Sequence, residues 1–340
     1  MAQSLSRRRW LSLAIIAGAL AIAIAPWSPW RRTLRVAIGS ELEQPMRELE
    51  ASFERRHPHI NLIWQVQGSQ DMVNQALEPS QRRPRVLIPA SQELLKSLQL
   101  RLRRQQAQTS LHAIKPVAST VLVAVSWPER AAVLFDQGSF RWSSLSKALK
   151  RKWWKDLGGE PSWGRFNLRT SDPLRSNSGQ LALLLWLRSQ GNDAAIQTWR
   201  GALYLPPRST DIMLREFIAT GPNDGDIAFA YECDALYRAE ESRTRHGSRY
   251  RVLYPDPTYE TVLTAAVLKG PAEGSLSDGE RLLRFLRAAD QQQLLRNWGF
   301  RSVDGQLPED AETDAGLVEV LPPPDQQLRD QALRLWQQAS

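Results

Sequence analysis

The sequence predicts an α/β fold built on a parallel sheet, and three observations lead there. From Leu34 onward, short apolar runs alternate with helical patterns three times in succession. Each apolar run gives way to a small hydroxyl residue at or near the start of the next helix: Ser40, Ser69 and Ser91. Of the 340 residues 42 % are apolar, enough for one large or two medium cores.

Arg7, Arg8 and Arg9 precede an apolar run from Trp10 to Ala25, and Arg31 and Arg32 follow it. The run is short for a membrane span of roughly 20 residues and has the length of an export signal. Ser6 to Leu11 is similar to a twin-arginine signal. Ala21 and Ala23 suit cleavage after Ala23, whereas Trp27 and Trp30 suit an uncleaved anchor in the inner membrane through residues 10–25. Residues 1–33 are therefore a signal peptide or signal anchor, and the body is periplasmic or extracytoplasmic, secreted or tethered. Those five arginines supply most of the net charge of +8 and leave +3 for the rest, since residues 1–33 hold no acid. The basic runs elsewhere lack interleaved aromatics, so nucleic acid is excluded as a partner.

Leu34 to Ile38 is a buried strand, followed by a helix with Leu42, Met46, Leu49 and Phe53 on one face. Ile60 to Val66 is the second strand, and Ser69 opens a helix through Met72, Val73, Ala76 and Leu77. Arg85 to Ile88 is the third, with a helix carrying Leu94, Leu95, Leu98 and Leu102 behind it. Three such units place Ser40, Ser69 and Ser91 at the carboxyl edge of one sheet, where open α/β sheets bind ligands, although each serine is also ordinary cap chemistry.

Val117 to Ser126 is a β-branched strand suited to crossing into a second domain. Arg141 to Lys155 reads as a helix and turn, and Phe166 to Arg169 leads into SDPLRSNSG, Ser171 to Gly179. There Asp172, Ser176, Asn177 and Ser178 are N-cap residue types, ahead of a helix too apolar for a surface that stops near Gly191. Its first turn offers free N–H groups and a positive dipole end to an anion or polar ligand head. Ser209 and Thr210 start another helix, and the strand within Gly225 to Glu232 finishes in Tyr231 and Glu232. Tyr250 to Tyr254 is a further strand, and Val262 to Leu268 is the return crossover. Ser277 and Glu280 box a helix reaching Ala289, and a last helix runs from Asp325 through Trp336.

These motifs carry a resemblance. Pro89, Ala90 and Ser91, the stretch Ser171 to Gly179, Arg208 to Thr210 with Gly221 to Glu232, Tyr254 and Pro255 with Ala265 to Leu268, and Gly299 to Arg301 are similar to the bacterial extracellular solute-binding proteins with the type 2 periplasmic-binding fold. The similarity is to a branch sometimes fused to a von Willebrand factor A domain. This chain stops near Trp336, where that module would start, and is expected to lack its adhesion site.

The resemblance implies two lobes joined by two hinge crossovers, lobe one from 34–118 plus 268–340 and lobe two from 119–267. It implies a small-molecule solute bound by Ser40 and Ser69 from lobe one. Asp172, Arg175, Ser176, Asn177, Ser178, Ser209, Thr210, Tyr231 and Glu232 would face them from lobe two. Arg175 and the helix start suit an anionic group, Asp172 and Glu232 a cationic one; an amphoteric solute or an internal Arg175–Glu232 ion pair satisfies both. The implied function is capture of that solute for a membrane permease of the ABC type. The alternative is a ligand-free, tethered component of an envelope complex.

No enzyme, cofactor or metal site is expected. The single Cys233 allows no intramolecular disulfide, and His57 and His59 bracket Pro58 in a solvated turn. No G-x-S-x-G elbow occurs, and Asp226 and Glu232 lie about 20 Å apart along one strand, too far to act as an acid/base pair.

Overall fold

The computed structural model describes residues 31–339 except 79, 81, 108, 136–137, 270–276, 310 and 312–315. Nearly all of the expected signal or anchor segment lies outside the described residues. Among the described residues, no helix is long and apolar enough to cross a membrane.

The strands in chain order are β1 (Arg32–Ile38), β2 (Ile60–Val66), β3 (Val86–Ile88), β4 (Ser110–Ser126), β5 (Leu168–Arg169), β6 (Ile227–Tyr231), β7 (Arg251–Leu253), β8 (Thr258–Lys269) and β9 (Val320–Leu321). β1 lies between β2 and β3, parallel to both, as three consecutive βα units require. The helices Glu43–Arg56, Ser69–Leu77 and Gln92–Arg104 complete this half. They bury the positions that the 3.6-residue period selects, Met46, Leu49 and Phe53 on the first and Leu95, Leu98 and Leu102 on the third.

β4 and β8 run antiparallel from Ser110 opposite Lys269 to Val121 opposite Glu260, with two register shifts. The late end of β8 pairs with β3. The late end of β4, from Leu122 to Ser126, pairs with β6, and β7 joins it at Ala124 to Ser126. β5 adds on the far side of β6. The two long strands thus belong to both halves, as the crossovers of a type 2 periplasmic-binding fold do. β4 starts seven residues earlier than the β-branched run, because its first stretch is bulged and alternates less cleanly.

Several elements escape the periodicity. The helices Pro128–Leu134, Ala195–Ala202, Glu232–Tyr237 and Ala239–His246 are short, and the last is polar along most of its length. The helix expected to reach Ala289 is two, Ser277–Leu286 and Ala289–Asn297, parted at Ala288 in extended backbone with no Gly or Pro to mark the break. The helix Gln326–Gln338, expected with lobe one, packs instead on the second half. Arg329 Nη1 donates to Asn177 Oδ1 at 2.7 Å, and the Arg200 guanidinium lies 4.7 Å from the Trp336 ring centre. β9 explains the difference: it pairs with the start of β8 at Thr258 and Tyr259, so the chain has already returned to that half.

The helix Asn177–Gln190 is buried on every side from Ser178 to Trp186. Trp186 stacks on Trp199 at 5.3 Å and donates its indole N–H to the Ala195 carbonyl at 2.9 Å. Gly179 makes this depth feasible, because a Cβ there would lie 2.2 Å from the Ser171 carbonyl oxygen. It is a backbone that comes close at this glycine. Neither main chain can yield cheaply, so Gly179→Ala is expected to cost about 3 kcal/mol or to prevent folding. Urea unfolding measures this, and a loss below about 1 kcal/mol would show that the helix shifts freely.

Candidate functional site

Four helical starts meet between the halves. The first half supplies the turn Ser40–Leu42 leading into Glu43–Arg56, and the start of Ser69–Leu77. The second supplies the starts of Asn177–Gln190 and Thr210–Thr220. Each brings N–H groups without an intrahelical acceptor. Ser209 spends its side chain on capping, accepting from the Ile212 N–H at 3.2 Å, whereas Ser176 makes no such cap bond.

The starts wall a cleft with about 30 Å³ of free volume. Ser40 and Ser69 line it from one half; Arg175, Ser176, Asn177, Ser209, Thr210 and Tyr231 line it from the other. The halves touch at its edge, where a Cβ on Gly68 would lie 3.5 Å from the Arg175 carbonyl oxygen. This is a closed arrangement, with room for little more than a water molecule.

A hydrogen-bonded chain holds the walls. Asn177 Nδ2 donates to the Tyr231 hydroxyl at 2.9 Å and to Thr261 Oγ1 at 3.2 Å, and Thr261 donates to the Ala90 carbonyl. The Ala90 N–H donates to Ser69 Oγ at 2.9 Å. One asparagine thereby links the second half to the strand end beneath Ser69. Ser91 stands behind this wall, buried, with its hydroxyl donating to Glu93 at 2.9 Å.

Three expected contact residues do not line the cleft. Ser178 is fully buried behind it, its hydroxyl 2.5 Å from Thr210 Oγ1 and 3.0 Å from Ser171 Oγ. Asp172 shapes the approach, accepting the Leu174 N–H at 3.0 Å. Glu232 follows Tyr231 and turns the opposite way. Arg301 grips it through Nε at 2.7 Å and Nη2 at 2.9 Å, and the Tyr254 hydroxyl donates to it at 2.9 Å. The internal ion pair is Arg301–Glu232, and Arg175 has no part in it.

Two charged cleft residues were not anticipated as contacts from the sequence, Glu41 and Arg208. Glu41 directly follows Ser40, and its carboxylate folds over Gly39, where a Cβ would lie 2.1 Å from Oε1. Burial, reinforced by the charge of Asp211, pushes its carboxyl up to about 7. Arg208 stands beside Ser209 in the stretch that reads as cap chemistry.

A family model for bacterial extracellular solute-binding proteins matches residues 34–301. The chain belongs to this family. Its fold is that of type 2 periplasmic solute-binding proteins, as three solved structures illustrate. The sulfate-binding protein SubI from Mycobacterium tuberculosis superimposes with a TM-score of 0.58 at 15% identity, over 86% of this chain and 94% of that one. The substrate binding protein of an ABC transporter from Agrobacterium tumefaciens gives 0.62 at 16%, over 91% and 95%. Iron-bound HitA from Pseudomonas aeruginosa gives 0.61 at 15%, over 91% and 99%. A search of curated protein sequences returns no match. The family and these neighbours are binding proteins rather than enzymes.

Within this solute-binding fold the Glu232–Arg301 pair is structural. Removing one partner leaves a buried charge, so Glu232→Ala and Arg301→Ala are each expected to cost about 3–5 kcal/mol, while Glu232→Leu with Arg301→Met together recovers most of it. Chemical denaturation of the singles and the double decides this; singles costing under about 1 kcal/mol would show that the pair is not structural.

Proposed function

We propose that the protein captures a small polar solute between its halves, outside the cytoplasm, and delivers it to a membrane permease of the ABC type. The observation that carries the reading is the meeting of helix starts from both halves on one cleft. Each half alone presents only part of a coordination shell; bound together around a solute, they supply N–H groups, hydroxyls and the Arg175 and Arg208 guanidiniums from both sides. β4 and β8 serve as the hinge, since they are the pair of strands shared by both halves. Ser40, Ser69, Ser176, Asn177, Ser209, Thr210 and Tyr231 are the contact residues in this reading, with Tyr231 closing over the solute.

The test is a thermal-shift screen after unfolding and refolding to strip any co-purified solute. The probes are sulfate, molybdate, ferric citrate, amino acids, sugars and polyamines. A solute at 100 times its dissociation constant adds about 2.7 kcal/mol, a shift of about 4 °C for a chain of this size. Ser40→Ala and Arg208→Ala are expected to weaken binding of the active probe at least tenfold while the ligand-free melting temperature stays within about 2 °C. Silence across the panel, or unchanged affinity in both variants, overturns the reading.

A further inference from the structure

Three cavities follow one another along the seam between the halves. The cleft is the middle one. At one end a water-sized gap of about 10 Å³ shares Ser40 and Glu41 with it. At the other a chamber of about 280 Å³ shares Ser69, Arg175, Ser176 and Asn177.

Each end holds a buried ionisable group with an atom that lacks a partner, an acid at one end and a guanidinium at the other. The small gap is walled by Glu41, Asp211 and Asp234 together with Arg238. Asp211 is neutralised by Arg238 and by Arg215 at 2.9 Å. Glu41 Oε1 and Asp234 Oδ2 are enclosed with no hydrogen-bond partner, and Asp234 is only 6 % exposed. Among the described residues no group of three or more such side chains is placed to hold a metal ion.

The large chamber is walled by Arg175 and Arg329 together with Glu93 and Asp330. Arg329 is 4 % exposed; its Nε and Nη1 are bonded to Pro324, Asn177 and Gln180, and its Nη2 is enclosed without a partner. The acids of this chamber are already engaged, Glu93 by Ser91 and Lys96, and Asp330 by Gln326. Buried polar and charged groups left unpaired are costly. An unpartnered acid oxygen at one end, an unpartnered guanidinium nitrogen at the other, and a middle lined by hydroxyls, Arg175 and Arg208 match a molecule with both charges.

We propose that the solute is a small zwitterion of the amino-acid class, with its ammonium group toward Glu41 and Asp234 and its acidic group toward Arg175 and Arg329. The inference rests on the solute-capture reading and names the substrate class for it. The ammonium fills a gap of its own size, the middle of the molecule lies past the Ser69 and Asn177 helix starts, and the acid enters the chamber. A dianion would meet the Glu41 carboxylate, and a simple amine would leave the arginine end unpaired. Proton linkage follows. Burial holds the Glu41 carboxyl near 7 and pushes that of Asp234 up; Asp211, Cys233, Tyr231, Tyr237, Arg238, Arg175 and Arg208 are the other charged or titratable groups around Glu41. A folded-state value above the usual one means that protonation favours the closed, empty form, an advantage lost as pH rises through about 7. An ammonium group needs the ionised form, so binding strengthens over that same rise.

The experiment is calorimetric titration and thermal shift at pH 6 and pH 8 on the wild type, Glu41→Gln and Arg175→Gln. The probes are glycine, β-alanine, γ-aminobutyrate and taurine, against sulfate, molybdate, ethylamine and putrescine. At least one zwitterion is expected to bind the wild type at least tenfold more tightly than any singly charged or dianionic probe, and more tightly at pH 8 than at pH 6. Glu41→Gln is expected to lose tenfold or more in affinity together with the pH dependence, and Arg175→Gln to lose affinity while keeping it. Preference for an oxyanion or a plain amine, or indifference to Glu41→Gln, overturns the zwitterion while leaving solute capture standing. Silence from every probe overturns the zwitterion, and solute capture falls with it only if ferric citrate and the sugars of the wider screen are silent too.

Discussion

β4 and β8 lie side by side while each takes part in both halves of the sheet, and the site depends on that pairing. Its ladder passes from the parallel strands that carry Ser40 and Ser69 to the strands that carry Tyr231. The crossing strands are antiparallel and bulged, and the helix starts of the two halves stand at either side of them. Thr261, on β8, lies at the centre of this arrangement: it accepts from Asn177 and donates to Ala90, so a crossing strand itself ties the two walls.

Around that hinge the site follows a simple rule of backbone chemistry. Helix starts cannot satisfy their own donors, so four of them facing one cleft create a demand for oxygen ligands. The hydroxyls of Ser171, Ser176, Ser178 and Thr210 form a closed cluster that sets the second-half wall. Glu41 works against this field, an acid held among donors from its own half and acids from the other. That opposition gives the seam direction, and direction separates recognition of a dipolar solute from capture of any anion.

The strands and helix starts were legible because their signals are local. Ile60–Val66 is read residue for residue, and Ser40, Ser69 and Thr210 stand where apolar period and turn chemistry put them. What is not legible is the direction a side chain takes where a strand ends. Tyr231 and Glu232 are neighbours, yet one lines the cleft and the other is consumed by Arg301, 69 residues away. Ser178 has the same chemistry as Ser176 but lies one step deeper, because a helix carries residues two apart to different faces. Arg329 was out of reach for the same reason of distance: nothing near Gln326–Gln338 in sequence says that its helix rests on the second half. The resemblance supplied the two-lobed plan, and the side-chain partners came from packing alone.

The bond from Arg329 to Asn177 spans 152 residues. A chain delivered from its N-terminus presents Ser40, Ser69, Asn177 and Tyr231 well before the helix Gln326–Gln338 exists. Until that helix docks, Asn177 Oδ1 lacks its arginine donor and the basic chamber lacks a wall. The wall of that chamber is therefore complete only once the helix Gln326–Gln338 has docked on the Asn177 helix start.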